Sequence, residues 1–569
     1  MCGDDPYILT GDFNVDQKNE IYSIIMDSGM LQDAFHAAKH RMAETGSMNY
    51  FKPDFNTDCR IDHVFLSPGF KVHDYGLLTY SFWTPVEVTE EMQAAIDAGQ
   101  EGVVVHQQRM ISDHYPVSVC VELPRLRAPQ DWAQYARYEE KNKGVQKPKV
   151  VFIGDSITHS CNWVAWLKYI VNTRYAYLPE VEFLNFGIAG DSCWNVKHRL
   201  EWDVLPHKFD RAFIMLGMND CPARIWGSEN PSESEIQRRS SRVMSYTRYM
   251  TNIISRLEKS GVEVVLLTPS PFDEYSKDLN AENFLGRNER GIASYAEAIR
   301  TLAREHSLSF VEFHRPITEI LKKNSDLKMC GRDRVHPRQN GSICMAALVA
   351  DAMGIAEHEA NKISIDVLDR TGHRISNLPN GGFRFLCDNK ILPFPVSSVS
   401  SFSRMEKSIE SIRKLKSEFL SVKNLSAGNW TLKADGNVIG TFSDEELSKG
   451  IDMSYCNTPS QVAAAEAKKA MDKWRDKVVA LRNIIMTRQV LRIQKADPYD
   501  VEKAMPILDK WLKTGQGKGQ DDYFGPIFEN FRKMSGREEE LRIEVEKAGH
   551  EFFARCKGVA YEIEIVPAK

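Results

Sequence analysis

The feature that most constrains the fold is an apolar run, Val150 to Ile153, that stops at Gly154-Asp155-Ser156. Such a run is typical of a strand buried on both faces, as in a parallel sheet covered by helices. A turn directly after the strand places Ser156 at the carboxyl edge of the sheet, where a nucleophile is accessible. Because Gly-Asp-Ser is also a common turn sequence, this interpretation depends on partners further along the chain.

Three further motifs follow in order. The apolar run Val181 to Phe186 leads into a polar segment, residues 187–192, and the run Ala212 to Leu216 leads into residues 217–220. Asp333-Arg334-Val335-His336 follows much later. Together with Ser156, this order resembles the SGNH (GDSL-like) hydrolase family, whose four blocks carry a serine, a glycine, an asparagine and an Asp-x-x-His pair.

The chemistry of these residues agrees with the resemblance. Ser156 would attack an ester carbonyl while His336 takes its proton, and Asp333 would hold the imidazole in the required tautomer. The matching family positions imply an oxyanion hole made by the Ser156 amide, the Gly190 amide and the Asn219 side chain. Taken alone, Asp333 and His336 would be interpreted as a surface salt bridge. The catalytic prediction depends on their occurrence together with the other three motifs. The resemblance implies no cofactor for the esterase.

Strands and helices alternate between residues 148 and 356. Val264 to Thr268 and Ser309 to Phe313 read as further strands, and Ser240 to Lys259 and Asn288 to His306 read as helices. This alternation predicts an α/β fold, a three-layer SGNH hydrolase domain with a parallel sheet covered on both faces.

Three tryptophans lie near the motifs: Trp163, Trp166 and Trp194. They could form a flat apolar wall for a sugar ring, and ordinary packing is an equally good interpretation of each.

The first 123 residues carry a second set of motifs. Gly11-Asp12-Phe13-Asn14, Arg60-Ile61-Asp62-His63 and Ser112-Asp113-His114 follow one another about fifty residues apart. They resemble the C-terminal half of the endonuclease/exonuclease/phosphatase family. The resemblance implies that Asp12 activates water, Asn14 binds a phosphate oxygen, His114 faces the phosphate, Asp62 orients His114 and Asp113 assists a metal, usually Mg²⁺.

The first half of that family, with its metal-binding glutamate, has no counterpart before Met1. We therefore expect a partial α+β sandwich, residues 1–123, that is a remnant or the end of a truncated gene. Mg²⁺ is implied only if the missing half is supplied, and an upstream export signal would then be possible.

Length and composition set the remaining limits. A chain of 569 residues should hold about three or four domains. Its net charge of -5 gives no general attraction to nucleic acid, and its 11 cysteines show no metal-ligand or disulfide spacing. No apolar stretch is long enough to span a membrane, and residues Met1 to Thr10 lack the features of a signal peptide, so the sequence assigns no localisation. It also gives no indication of the oligomeric state.

The remaining segments read as a linker and a C-terminal appendage. Residues 124–147 form a linker whose Trp132, Tyr135 and Tyr138 recur at helical spacing.

Residues 357–455 read as a small β-rich module with a charged helix from Ser401 to Val422, and residues 456–569 read as a helical region. The predicted helices there are Gln461 to Ala496, Asp500 to Lys513 and Asp521 to Glu546, around a loop from Gly515 to Gly519. Such a tail resembles appendages of some bacterial SGNH proteins. Its basic helix is interpreted as a solvated face.

The sequence thus predicts an SGNH-type serine esterase that deacetylates a carbohydrate ester. A metal-dependent phosphoesterase or nuclease, acting through the first 123 residues, is the first alternative. A non-catalytic carbohydrate-binding protein is the second.

Overall fold

The structure is a computed structural model of the chain. It describes residues 7–28, 31–42, 45–53, 55, 57–67, 70–79, 81–100, 106–122, 149–176, 180–276, 285–355, 362–368, 375–514, 519 and 521–568. The chain divides into two compact units, residues 1–126 and 127–569, each with its own core. The predicted linker helix with Trp132, Tyr135 and Tyr138 lies outside the described residues.

The second unit is built on a five-stranded sheet in which all neighbouring strands are parallel. In spatial order the strands are Glu182–Gly187, Lys149–Gly154, Arg211–Met215, Glu263–Leu267 and Ser309–Val311. The three inner strands are almost entirely buried, which is why they read as continuous apolar runs. The predicted α/β fold of this region is confirmed.

Helices follow the strands of this sheet. Those of seven or more residues are Asn162–Arg174, Cys193–Arg199, Glu233–Lys259, Ala293–Glu305, His314–Lys323 and Gln339–Ala352. The helix predicted from Ser240 begins earlier, at Glu233, because Ser232 and Glu235 cap it reciprocally. The Ser232 amide donates to the Glu235 carboxylate at 2.8 Å.

Two of the three tryptophans considered for a sugar wall belong to the core. Trp163 is 1% exposed and Trp166 is 4% exposed. The Trp163 ring meets Phe152 edge-on, and the Trp166 ring stacks on Phe394. The sugar-wall interpretation is therefore wrong for these two residues, since their helix turns them inward. Trp194 is 45% exposed.

Two smaller sheets lie in the C-terminal part of the second unit. The first contains Lys362–Asp366, Phe419–Lys423 and Ile451–Asp452. The second contains, in spatial order, Ile375–Asn377, Phe383–Asp388, Ala560–Pro567, Asn429–Ala434 and Asn437–Ser443. The charged helix predicted from Ser401 to Val422 is wrong at its end. The structure has helices Phe402–Ser408 and Glu410–Arg413, and residues 419–423 then form a strand because their side chains alternate in burial.

The helical part of the C-terminal region contains Pro459–Ile493, Val501–Thr514, Asp521–Met534 and Glu538–Ala554. Pro459–Ile493, called the long helix below, is capped by Thr458, whose hydroxyl accepts a hydrogen bond from the Gln461 amide. The helix predicted from Asp521 to Glu546 divides in two near Gly536, whose φ of 88° suits a helix end. Except for Gly519, the predicted loop from Gly515 to Gly519 lies outside the described residues.

The long helix packs on the hydrolase core rather than lying on a solvated face. Its first half contributes Ala464, Met471 and Trp474 to the core that also contains the central sheet. Two of its arginines are buried in ion pairs, Arg482 with Asp203 and Arg488 with Glu538. The interpretation of this helix as a solvated basic face is therefore wrong for these arginines.

The first unit is a mixture of short strands and helices. Its strands are Ile8–Asp12, Gln32–Asp33, His40–Arg41, Asp62–Leu66, Lys71–Leu77, Ser81–Pro85, His106–Met110 and Val117–Glu122. Its helices are Glu20–Asp27, Ala34–Ala37 and Glu90–Asp97. Asp62–Leu66 pairs antiparallel with Ile8–Asp12, which brings Asp12 opposite Asp62. Across the described parts of both units, none of the helices has the length and hydropathy needed to cross a membrane.

Candidate active site

Ser156 lies directly beyond the strand Lys149–Gly154. It begins a short helix, Ser156–His159, that is capped by Asp155, whose carboxylate accepts from the Ile157 amide at 2.9 Å. Gly154 is required here because a Cβ would come within 2.9 Å of the Met215 carbonyl oxygen. Gly154 pairs with Gly187 on one side and with Met215 on the other, so the loops after all three strands leave the same edge of the sheet.

A hydrogen-bonded chain joins three of the predicted residues. The Nε2 of His336 lies 2.7 Å from the Oγ of Ser156, and the Nδ1 of His336 lies 2.6 Å from an Oδ of Asp333. The other Oδ of Asp333 accepts from the amides of Val335 and His336, both at 3.0 Å. The Asp-x-x-His spacing therefore forms a tight turn in which the carboxylate fixes the backbone and the imidazole together. This places the Nε2 lone pair toward the serine hydroxyl.

The hydrogen bond between Asp333 and His336 favours the charged form of each residue. Hydrogen bonding to Asp333 raises the pKa of His336, against the opposing effect of burial. Burial acts to raise the pKa of Asp333, but its hydrogen bonds from the side chain and amide of His336 prevail and lower that pKa to about 2. Asp333 therefore stays ionised through the range in which His336 titrates, and can stabilise an imidazolium.

Gly190 and Asn219, the two other predicted oxyanion donors, are linked through Asp191. Gly190 lies in the segment from Ile188 to Ser192, called the glycine loop below, and has a φ of 85°. No atom lies within 4 Å of the position a Cβ would occupy, so backbone conformation rather than space selects glycine. The Asn219 Nδ2 donates to the Asp191 carbonyl oxygen at 2.9 Å. A carboxamide has two N–H donors, so this bond orients the group and leaves the second donor for another acceptor.

The structure adds residues that the sequence prediction missed. Asp191 is buried and accepts from Arg199 at 2.6 Å and from Gln489 at 2.5 Å. Arg199 also pairs with Asp203 at 2.6 Å. The only sequence signal was the position of Asp191 beside Gly190, because Gln489 lies 298 residues further along the chain.

The predicted residues of the first unit also come together in part. The ligand atoms of Asp12, Asp62 and His114 lie within 4.8 Å of one another, and the His114 Nδ1 is 2.9 Å from an Oδ of Asp62. The Asn14 amide donates to Asp12. Asp113 lies further off, with a carboxylate oxygen 4.0 Å from the His114 Nε2.

This cluster does not fit the Mg²⁺ that the family resemblance implies. Mg²⁺ prefers a shell of oxygen ligands. Among the described residues the cluster offers two carboxylates and an imidazole, and the Asp62 carboxylate is already engaged by His114. The structure instead shows Asp62 in contact with the His114 ring, and the orienting role that the resemblance implies for Asp62 stays a prediction.

Comparison with known proteins gives a family match within the second unit. A model of the GDSL-like Lipase/Acylhydrolase family matches residues 152–342. An acetylxylan esterase from Geobacillus stearothermophilus is 25% identical over 216 residues, which cover 35% of this chain and 90% of that relative.

Two solved structures extend the comparison. A gut microbial diltiazem-metabolizing enzyme is 22% identical, with a TM-score of 0.64 over 74% of this chain and 98% of its own, a likeness of fold alone. An endonuclease/exonuclease/phosphatase family protein from Bacteroides thetaiotaomicron is 36% identical over 21% of this chain and 38% of its own, with a TM-score of 0.18. Residues 152–342 therefore match the GDSL-like lipase/acylhydrolase family, and this match together with the acetylxylan esterase relative supports an enzyme that hydrolyses ester bonds.

Proposed function

We propose that the second unit removes acetyl groups from a carbohydrate ester, with Ser156 as nucleophile, His336 as general base and acid, and Asp333 as the orienting carboxylate. The observation that carries this proposal is the continuous hydrogen-bonded chain from Ser156 Oγ through His336 to Asp333, with distances of 2.7 and 2.6 Å. In the first step the Ser156 oxygen attacks the acetyl carbonyl, its proton passes to His336, and the sugar alcohol leaves with that proton. Water then releases acetate by the same route.

The Ser156 amide, the Gly190 amide and the second Asn219 N–H would receive the negative charge that develops on the carbonyl oxygen. Donors fixed before reaction do not have to reorganise as the charge appears, which is why such groups lower the barrier. The bond from Asn219 to the Asp191 carbonyl supports this role, because it holds the carboxamide in one orientation.

Two observations support a carbohydrate substrate. The relative that this chain matches over 90% of the relative's length is an acetylxylan esterase. Trp194, which follows the glycine loop by two residues, presents a half-exposed indole close in sequence to the proposed oxyanion donor. An exposed aromatic face of this kind can stack on the apolar face of a sugar ring.

The proposal is tested with acetylated xylo-oligosaccharides and 4-nitrophenyl acetate as substrates. Ser156→Ala should abolish acetate release from both while the thermal unfolding midpoint stays close to that of the parent, because the hydroxyl contributes little packing. Ser160→Ala is the matched control on the next turn of the chain and should keep turnover. If Ser156→Ala retains wild-type turnover, the proposed nucleophile is wrong. If the protein hydrolyses 4-nitrophenyl acetate but not the acetylated xylo-oligosaccharides, the proposed esterase activity stands and the proposed carbohydrate substrate is wrong.

We further infer that the first unit has no Mg²⁺-dependent phosphoesterase activity in this chain. The donor set of Asp12, Asp62 and His114 supports this, since one carboxylate is engaged by the imidazole. Without a fixed cation, the charge on a phosphoryl group in transfer stays unbalanced.

A further inference from the structure

The second half of the long helix contacts the glycine loop directly. We propose that residues 482–489 of this helix position the proposed oxyanion donors, so that the C-terminal region is part of the catalytic apparatus of the hydrolase. This inference rests on the proposed function of Gly190 and Asn219. The helix residues concerned are positioning residues, since their contacts are to other protein groups.

Gln489 is the first link. Its Nε2 donates to one carboxylate oxygen of Asp191 at 2.5 Å, and the Nε of Arg199 donates to the other at 2.6 Å. With both oxygens held, the backbone of Asp191 is fixed, and its carbonyl oxygen is the acceptor that orients Asn219 at 2.9 Å. Two hydrogen bonds therefore connect Gln489 through Asp191 to Asn219, one proposed oxyanion donor. Gly190, the other, is the residue next to Asp191 in the sequence.

Arg482 is the second link. Its guanidinium pairs with both carboxylate oxygens of Asp203, at 2.8 and 2.7 Å, and donates to the Gly187 carbonyl oxygen at 3.2 Å. Asp203 in turn holds Arg199 at 2.6 Å. The side chains of Arg482, Asp203 and Arg199 are all buried. Their hydrogen-bonded network therefore holds the backbone in place at Gly187, directly before the glycine loop.

Asn483 is the third link, and it reaches the serine side of the site. Its Oδ1 lies 3.0 Å from the Nε2 of His159, and the Nδ1 of the same ring accepts from the Ala189 amide at 3.0 Å. Burial lowers the pKa of His159 to about 3, so the ring stays neutral, with Nε2 as donor and Nδ1 as acceptor. One imidazole thus ties the short helix that begins at Ser156 to the glycine loop, and the long helix fixes the ring's orientation.

Apolar packing holds the same segment. Ile188, which is 1% exposed, belongs to the cluster formed by Ile484, Ile485 and Leu491 of the long helix and by the helices that follow it. The glycine loop is therefore anchored on the C-terminal region by both its polar and its apolar groups. Because oxyanion stabilisation requires donors placed within a fraction of an ångström, loss of one anchor should affect turnover more than binding.

The test compares two buried glutamines at opposite ends of the long helix. The Gln489 side chain donates to Asp191, and the Gln461 side chain donates to Glu418 and to the Phe394 carbonyl oxygen, so each variant loses a buried hydrogen bond to a carboxylate when the glutamine is changed to methionine. We expect Gln489→Met to lower kcat about ten- to a hundredfold with KM changed less than about twofold. Gln461→Met should keep kcat, with a comparable loss of thermal stability. Equal effects of the two variants on kcat would overturn the proposal.

Two further variants separate this inference from a structural role and from the proposed function. In an Asn219→Ala background, Gln489→Met should cost clearly less than in the parent, because part of its effect passes through Asn219. Full additivity would overturn the proposal. Asn483→Ala should also lower kcat, and a folded Asn483→Ala protein with parental kcat would contradict the role of His159.

Ser156→Ala serves as the reference for the proposed function. If it retains turnover, the proposed function fails. If it is inactive while both Gln489→Met and Asn483→Ala are fully active, only the positioning role fails.

Discussion

The Nε2 of His336 lies 2.7 Å from the Oγ of Ser156, although 180 residues separate them in the chain. The serine is delivered by the end of a central strand, and the histidine by a turn that Asp333 stabilises through two backbone amides. Since the contact joins two independently positioned segments, its pH dependence and its sensitivity to neighbouring donors can be measured separately.

Ester hydrolysis should increase with pH through a single ionisation whose pKa lies above the ordinary value of a histidine, about 6.5. The base must be neutral to accept the serine proton, and Asp333 raises the pKa of His336, so activity is lost as the pH falls through that raised value. The contribution of the raised His336 pKa to folding stability has the opposite pH dependence, because it is fully present below the ordinary histidine pKa of about 6.5 and is lost as the pH rises through the raised value. The measurement is kcat/KM for 4-nitrophenyl acetate between pH 5 and pH 9.

Asp333→Asn should lower kcat/KM and shift the remaining profile to lower pH, because the carboxylate that raises the pKa of His336 is gone. The matched control is Glu258→Gln, which removes the carboxylate 3.3 Å from His306 outside the site. The control should leave both rate and profile unchanged. An unshifted profile in Asp333→Asn would show that another group controls the ionisation.

Asn219→Ala should lower kcat about a hundredfold with little change in KM, as expected for an oxyanion donor that acts mainly in the transition state. The exposed Asn252 on the helix Glu233–Lys259 gives a control, Asn252→Ala, that should keep parental kcat. A rise in KM with unchanged kcat would instead assign Asn219 to substrate binding.

Gly190→Ala should reduce kcat while lowering stability by about 1–2 kcal/mol, the cost of an L-residue in the left-handed region. A new Cβ meets no atom within 4 Å, so the effect comes from the backbone rather than from a clash. Gly354, with a φ of 70° and equally open space, provides the control. Gly354→Ala should lose similar stability and no activity, and parental kcat in Gly190→Ala would exclude its amide from the oxyanion hole.

The full chain should show no Mg²⁺-dependent hydrolysis of bis(4-nitrophenyl) phosphate, and EDTA should leave ester hydrolysis unchanged. The proposed triad and its donors supply every group the ester reaction needs, and the Asp12 cluster leaves one carboxylate free of His114. Phosphodiester cleavage that requires Mg²⁺ and disappears in His114→Ala would contradict this prediction.

Local patterns predict much of the hydrolase fold. The strands are predicted from apolar runs, and the observed strands agree with those runs to within one residue at each end, except that the last, Ser309–Val311, ends two residues earlier than predicted. Asp333 and His336 are separated by one turn, so their pairing is also a local property. The bounds of helices are less accessible, as the reciprocal cap at Ser232 and Glu235 illustrates.

The support of the site is not predictable from local sequence. Gln489 and Asp191 make a buried bond across 298 residues, and neither residue type nor spacing indicates the partner. Trp163 and Trp166 lie near a motif in the sequence but are buried, because an aromatic residue beside a motif can face either the core or the solvent. Only the packing of the helix Asn162–Arg174 decides between them.

The strand Ala560–Pro567 occupies the centre of its five-stranded sheet, between Phe383–Asp388 and Asn429–Ala434. The two strands on each side of it are made earlier during synthesis, and the two pairs cannot join into one sheet until Ala560–Pro567 has left the ribosome. The strand edges that will pair with it therefore stay unpaired while the long helix and the helices after it are synthesised. Such pairing between distant segments raises the contact order and slows folding. Completion of this sheet then ties the fold to its last strand, so that a nascent chain lacking it would present two unpaired edges to chaperones and proteases.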